Sequence, residues 1–229
     1  MKGTRVAWSS AAIVWTAVLV LQGSPMASSH PVSDFYTAFW NSADLPTIMW
    51  GFDAEFPTGN KRARVAEAAL EWTNVANADI TLPQGLGYPT FPSTNPCNQP
   101  EDKNAIHWES LTDYGVTRKC IDTAPNPDKM FNFQLVLDST GQTWSDSTGA
   151  PGSDKVDTRH VATHEFGHAT GWTGHYVNVT RCPPAGPFSD WETMCDSVDV
   201  LASTSDTEYG KTFRRSLDVH DIDVLQAAY

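Results

Sequence analysis

The run His164-Glu165-Phe166-Gly167-His168-Ala169-Thr170-Gly171-Trp172-Thr173-Gly174-His175 constrains this chain more than any other stretch. Residues four apart on a helix share one face, so His164 and His168 can bind a single metal ion. Glu165 then points beside them, toward a water in an open coordination position. Gly171 lets the chain leave the helix in a conformation that a residue with a Cβ resists. A third ligand can therefore swing back from beyond the helix, and His175 is the candidate. The competing reading of such a run is a surface helix whose His and Glu are solvated. The helix-ending Gly and the further His argue against it.

This stretch resembles the metzincin clan of zinc peptidases, whose signature is HExxHxxGxxH followed by a Met-turn, and within that clan it is most similar to matrixin-type secreted peptidases. The resemblance is strong over residues 157 to 195 and weak elsewhere in the chain. In the family's pattern the third His falls three residues after the Gly, where this chain has Gly174, and His175 comes one residue late. A one-residue insertion beside a flexible Gly can be absorbed by the turn. Asp190, Glu192 and Asp196 are the substitutes if the loop folds otherwise.

The resemblance also implies a role for Met194, in Trp191-Glu192-Thr193-Met194-Cys195, as a hydrophobic floor beneath the imidazoles. An ordinary core methionine is the other reading. What the family does chemically is expected here too: Zn2+ polarises a peptide carbonyl, and Glu165 serves as general base and then general acid. The expected function is a secreted zinc-dependent endopeptidase acting on extended polypeptide. The alternative is a catalytically impaired, zinc-containing binding protein on the same fold. His160 extends the row of His164 and His168 by one turn, but a fourth imidazole would fill the position that a catalytic zinc leaves open. It is read as a packing residue.

The ends of the chain point to export. Lys2 and Arg5 precede an apolar run from Val6 to Leu21, near the length of a secretory leader and short for a membrane span of roughly 20 residues. Residues 1–27 are read as a cleavable signal peptide, 28–44 as a short extension and 45–229 as the catalytic domain. A membrane anchor is the alternative for the first segment. Removing residues 1–27 takes the formal net charge from −12 to −14, since Lys2 and Arg5 go and no acidic residue does. Without a basic cluster, so negative a chain is repelled by nucleic acid and anionic lipid. The expected partner is a polypeptide substrate, and the expected state is a monomer.

Four cysteines in an exported chain predict disulfides. Of the three possible pairings, Cys97 with Cys120 and Cys182 with Cys195 are favoured because each closes a local loop rich in Pro and Gly. The second would staple the segment leading to Met194. Matrixin-like proteins often hold Ca2+ near the stretch carrying Asp138, Asp146, Asp154 and Asp157. Solvated loop carboxylates are the competing reading. The family's latency cysteine has no counterpart between Ser28 and Leu45.

The fold class expected is α+β, a zincin or metzincin-like single domain. It has a twisted mixed β-sheet, an active-site helix, a second long helix and a C-terminal helix. Strands are expected at 45–53, 105–111 and 132–138, and helices at 59–78, from the N-cap Asp157 to Ala169, and at 216–229. In the last of these Val219, Ile222 and Leu225 share a face. The segment 83–100 reads as loop. Trp144 is a packing aromatic or a wall of the substrate cleft.

Overall fold

The computed structural model describes residues 36, 38–40, 47–85, 95–99, 103–124, 128–174, 193–195 and 213–229. The expected leader at 1–27 lies outside them. The described residues form an α+β arrangement of a mostly parallel sheet and three helices.

The sheet is built on β5 (Asp128–Asp138), which is buried without interruption from Asn132 to Asp138, as a strand covered on both faces must be. Lys129 faces Phe39 of β1 (Ala38–Phe39) on one side and Asp122 of β4 (Gly115–Asp122) on the other. Gln134 likewise faces Ala105 of β3 (Asn104–Glu109) and Arg118 of β4. The parallel strands β1 and β3 therefore share one edge of β5, and antiparallel β4 takes the whole of the other. Beyond β3 lies β2 (Trp50–Phe52), also parallel. Strand β2 is shorter than the expected 45–53, whose first two residues lie outside the description. Thr47 and Trp50 extend it through single bridges to Thr81 and Gln84. The disulfide Cys97–Cys120 ties a 3-10 turn at Pro96–Asn98 to β4.

Helix α1 (Asn60–Thr73) buries Val65, Ala68, Ala69 and Trp72, the face expected from their spacing. It ends five residues before Ala78, because the chain turns at Asn77 with φ 64° and Ala78 N–H closes onto Val75 O. Helix α2 (Thr158–Ala169) starts where Asp157 accepts the His160 N–H at 2.8 Å. A small parallel pair, β6 (Trp144–Ser145) and β7 (Val156–Asp157), leads into it. Ten of its twelve residues are buried, so α2 is a core helix and its polar side chains must find partners inside the protein. Trp72 of α1 donates its indole N–H to Thr163 O of α2 at 2.8 Å, fixing the two helices together.

Helix α3 (Val219–Ala228) is capped by Asp218 and Asp221 in a reciprocal box. Its buried face is Asp221, Val224 and Leu225, whereas Val219 is 58% exposed. The expected face is thus rotated, because the Asp221 carboxylate is drawn inward as an acceptor for Thr193 N–H at 2.8 Å. Trp144 packs against Trp108 at 5.8 Å between ring centroids, under the Lys61 ammonium, and donates to Asp138 O at 2.7 Å. That is its packing role.

A candidate metal centre on helix α2

The two helical imidazoles lie side by side, ring centroids 5.0 Å apart and planes at 87°. His164 Nδ1 is 2.7 Å from Thr193 O, and His168 Nδ1 is 2.9 Å from Trp172 O. A backbone carbonyl only accepts, so each Nδ1 carries the proton and each neutral ring holds its lone pair on Nε2. The two acceptors come from different parts of the chain, one from the segment 193–195 and one from just beyond the helix. Trp172 follows Gly171, whose φ is +114° and where a Cβ would fall 2.5 Å from Ala38 O. The left-handed exit expected at Gly171 is therefore present, and it brings the Trp172 carbonyl back to His168.

Aromatic and hydroxyl groups cap the end of α2. Trp40 Nε1 donates to Ala169 O at 2.8 Å, the Thr170 hydroxyl to Gly167 O at 2.7 Å, and the Tyr229 hydroxyl to Thr170 O at 2.5 Å. Tyr36 Oη in turn donates to the Thr170 hydroxyl at 2.9 Å, since that hydroxyl's own proton is already committed. The last carbonyls of the helix are thus satisfied partly by the local Thr170 and Gly171 groups and partly by the distant Trp40, while Tyr229 holds the Thr170 carbonyl just beyond.

Glu165 is only 6% exposed, which rules out the solvated surface helix as an account of this run. Burial pushes its carboxyl up to about 7, against the opposing Thr117 hydroxyl bond and the more distant Arg214 and Lys119 cations. The Thr117 hydroxyl lies 2.8 Å from both Glu165 O and Glu165 Oε2. Strand β4 reaches the helix here because Gly115 has no side chain: a Cβ would meet Val161 Cγ1 at 2.9 Å and Glu165 Cγ at 3.0 Å. Alternation along β4 puts Gly115, Thr117 and Lys119 on its helix-facing side. Lys119 Nζ donates to Trp172 O at 2.7 Å, and its half-buried ammonium is pushed down to about 8 by desolvation.

Met194 is fully buried against Gly167, where a Cβ would collide with the Met194 sulfur and approach Trp72 Cζ2 to 2.7 Å. Its neighbours are held from three directions. Asp221 accepts from Thr193 N–H, the Thr193 hydroxyl donates to Ser216 O at 2.9 Å, and the buried Arg214 guanidinium donates to Cys195 O. Met194 thus lies beneath the helix, one residue after the carbonyl that orients His164. Cys195 is disulfide-bonded, and Cys182, its expected partner, lies outside the described residues.

Outside the described residues also lie His175 and the substitutes Asp190, Glu192 and Asp196. Among the described residues no group of three or more His, Cys, Asp or Glu side chains could hold a metal. His160 is buried, and its Nδ1 accepts from Arg214 N–H at 3.2 Å, which occupies the lone pair a ligand would need. Three of the four loop carboxylates are engaged within the protein. Asp138 accepts from Leu111, Thr140 and Gly141 N–H, Asp146 pairs with Lys61 at 2.9 Å, and Asp157 caps α2 and pairs with Arg215. Sequence reasoning missed Thr117, Lys119, Arg214 and Asp221 as neighbours of the site. For the first two, the small-polar-basic alternation of Gly115-Val116-Thr117-Arg118-Lys119 was the available signal. No family model matches this chain, and no curated protein matches it in sequence.

Proposed function

We propose that this chain is a secreted zinc-dependent endopeptidase of the metzincin kind, most similar to the matrixins. The observation that carries the proposal is the pair of imidazoles on α2, each fixed through Nδ1 by a backbone carbonyl, flanking a buried glutamate. Two neutral rings with Nε2 lone pairs on adjacent turns fit the donor set zinc takes in catalytic sites, where a backbone carbonyl on the far nitrogen commonly fixes the ring. His164 and His168 would hold the ion with His175 as the third ligand. When bound, zinc supplies a Lewis acid that polarises the scissile carbonyl and acidifies water.

The remaining chemistry belongs to the chain. Glu165 accepts the attacking water's proton and delivers it to the departing amine, a role suited to a carboxyl whose affinity for protons burial has raised toward neutrality. The Thr117 hydroxyl orients the Glu165 carboxylate by its bond to Oε2. Met194 and Trp72 close the apolar floor against Gly167. Among the described residues no strand pairs with the outer edge of β4, which leaves its backbone groups to receive an extended peptide as an added strand. A mostly parallel sheet with this antiparallel edge strand over the active-site helix supports the metzincin-like reading of the fold. Disulfide-bonded cysteines and the sequence of residues 1–27 support export. Among the described residues no helix is long and apolar enough to cross a membrane.

The impaired-binder reading is disfavoured by Glu165, because a purely structural zinc site has no need of a buried carboxylate at that position. Glu165→Gln decides between them. It should leave zinc content unchanged and lower hydrolysis of a denatured polypeptide by at least about 10²-fold relative to an EDTA-sensitive, zinc-restorable wild type. Near wild-type hydrolysis by the variant would refute the mechanism, and a wild type that binds zinc without cleaving peptide would favour the binder.

A further inference from the structure

The Trp172 carbonyl serves two donors at once: His168 Nδ1 at 2.9 Å and Lys119 Nζ at 2.7 Å. A carbonyl oxygen has two lone pairs, so both bonds can form together. Their effects on His168 are opposed. An acceptor on the far nitrogen of a metal-binding imidazole raises the basicity of the ligating nitrogen. An ammonium donating to that same acceptor withdraws electron density from it and weakens the pull on the His168 N–H.

We infer that Lys119 is a positioning residue that tunes the metal through Trp172 and His168, weakening metal affinity and preserving the ion's Lewis acidity. The inference rests on the metal-centre reading above. No other side chain is needed to hold the acceptor in place. Trp172 is fully buried, bridged to Tyr36 and preceded by the Gly171 turn, so its carbonyl is aimed at His168 whether or not Lys119 is there. What Lys119 adds is charge. At pH 7 a group titrating near 8 is mostly protonated, and in its half-buried place the cation is poorly screened. Thr117, two residues earlier on the same face of β4, touches Glu165. The strand that would receive the substrate therefore touches both the proton carrier and the support of a metal ligand.

The test is an equilibrium competition for Zn2+ between the full secreted chain and a chelator of known affinity at pH 7, with turnover measured at saturating zinc. Lys119→Met should bind Zn2+ about 10-fold more tightly than wild type while its turnover falls, the size expected for a change in a metal ligand's hydrogen-bond partner. Lys119→Arg, which keeps a cation on β4, should stay near wild type in both. A role confined to packing predicts that affinity and turnover drop together in Lys119→Met. That result, or an unchanged affinity, overturns the inference. If the Met variant does not fold, Lys119→Gln gives the same comparison with a neutral polar chain. A wild type that fails to bind Zn2+ would sink the metal-centre reading itself, an outcome distinct from a wild type that binds with no response to Lys119.

Discussion

Replacing Gly167 by alanine tests whether Met194 forms the floor of the site. In an ordinary helix interior the change stabilises by about 1 kcal/mol, since alanine loses less backbone entropy. Here the new methyl group would enter a space taken by the Met194 sulfur and the edge of Trp72, with Met194 Cε a further contact at 3.1 Å. The Trp72 edge is rigid, and the flexible end of Met194 must find new space inside the core. Both are fully buried, and the Trp72 indole is pinned by its bond to Thr163 O. Overpacking of a close-packed core costs about 1–3 kcal/mol, and a rigid indole beside a fully buried thioether places this site near the upper end. Set against the helix gain, the net loss is about 2 kcal/mol. For a domain of this size that lowers Tm by about 4–8 °C. The displacement should also shift Thr193 O and loosen zinc binding through His164. Denaturant unfolding of Gly167→Ala, Met194→Ala and the double variant closes a cycle. Truncating Met194 alone costs about 2–5 kcal/mol, but in its absence the added methyl is accommodated, giving a favourable coupling of at least about 1 kcal/mol. A stabilised Gly167→Ala, or a cycle without coupling, would refute the placement of Met194.

Asp221 governs part of the acid response. Burial pushes it from 3.8 to about 6, so the folded protein holds this proton more tightly than the unfolded chain, and the stability this group contributes is full below about pH 4 and is lost as pH rises through about 6. The loss is on the order of 3 kcal/mol at 1.36 kcal/mol per pKa unit, and Glu165 contributes in the same direction. Urea midpoints of metal-free protein from pH 4 to 7 should therefore decline less steeply in Asp221→Asn than in wild type. Parallel curves would contradict this. Finally, His175→Ala should lower zinc affinity and activity together while His160→Ala leaves zinc affinity within a few-fold. Retention of zinc by His175→Ala would transfer the third ligand to Asp190, Glu192 or Asp196.

What could be read in the chain alone was what local pattern controls. Asp157 as N-cap, α2 to Ala169, the turn at Gly171 and the buried face of α1 follow from short-range spacing and from the one residue type that tolerates positive φ. Strand β4 escaped because Gly115 to Asp122 has no apolar run. It is an edge strand whose alternate residues meet a polar helix, so its pattern encodes contacts to Glu165 and Trp172 rather than to a greasy core. The rotated face of α3 has the same origin, for a buried Asp221 is explained only by Thr193 N–H, a partner 28 positions away. Arg214 was equally hidden, because its acceptor is the carbonyl of Cys195 in a different loop. Proton placement on His164 and His168 likewise depends on Thr193 and Trp172 and not on the spacing that made the pair conspicuous.

The closure of α2 by Trp40, Tyr36 and Tyr229 also bears on the order in which the protein is made. The Trp40 N–H meets the Tyr229 hydroxyl across 189 positions of chain, and that hydroxyl in turn holds the Thr170 carbonyl next to the turn carrying Trp172. A nascent chain that has finished α2 still lacks this clasp until the segment bearing Tyr229 emerges, about 60 residues later. Until then the Thr170 carbonyl lacks the Tyr229 hydroxyl that holds it. The end of α2 is therefore closed by contacts far apart in the chain, the kind that forms slowly compared with the local turn it covers.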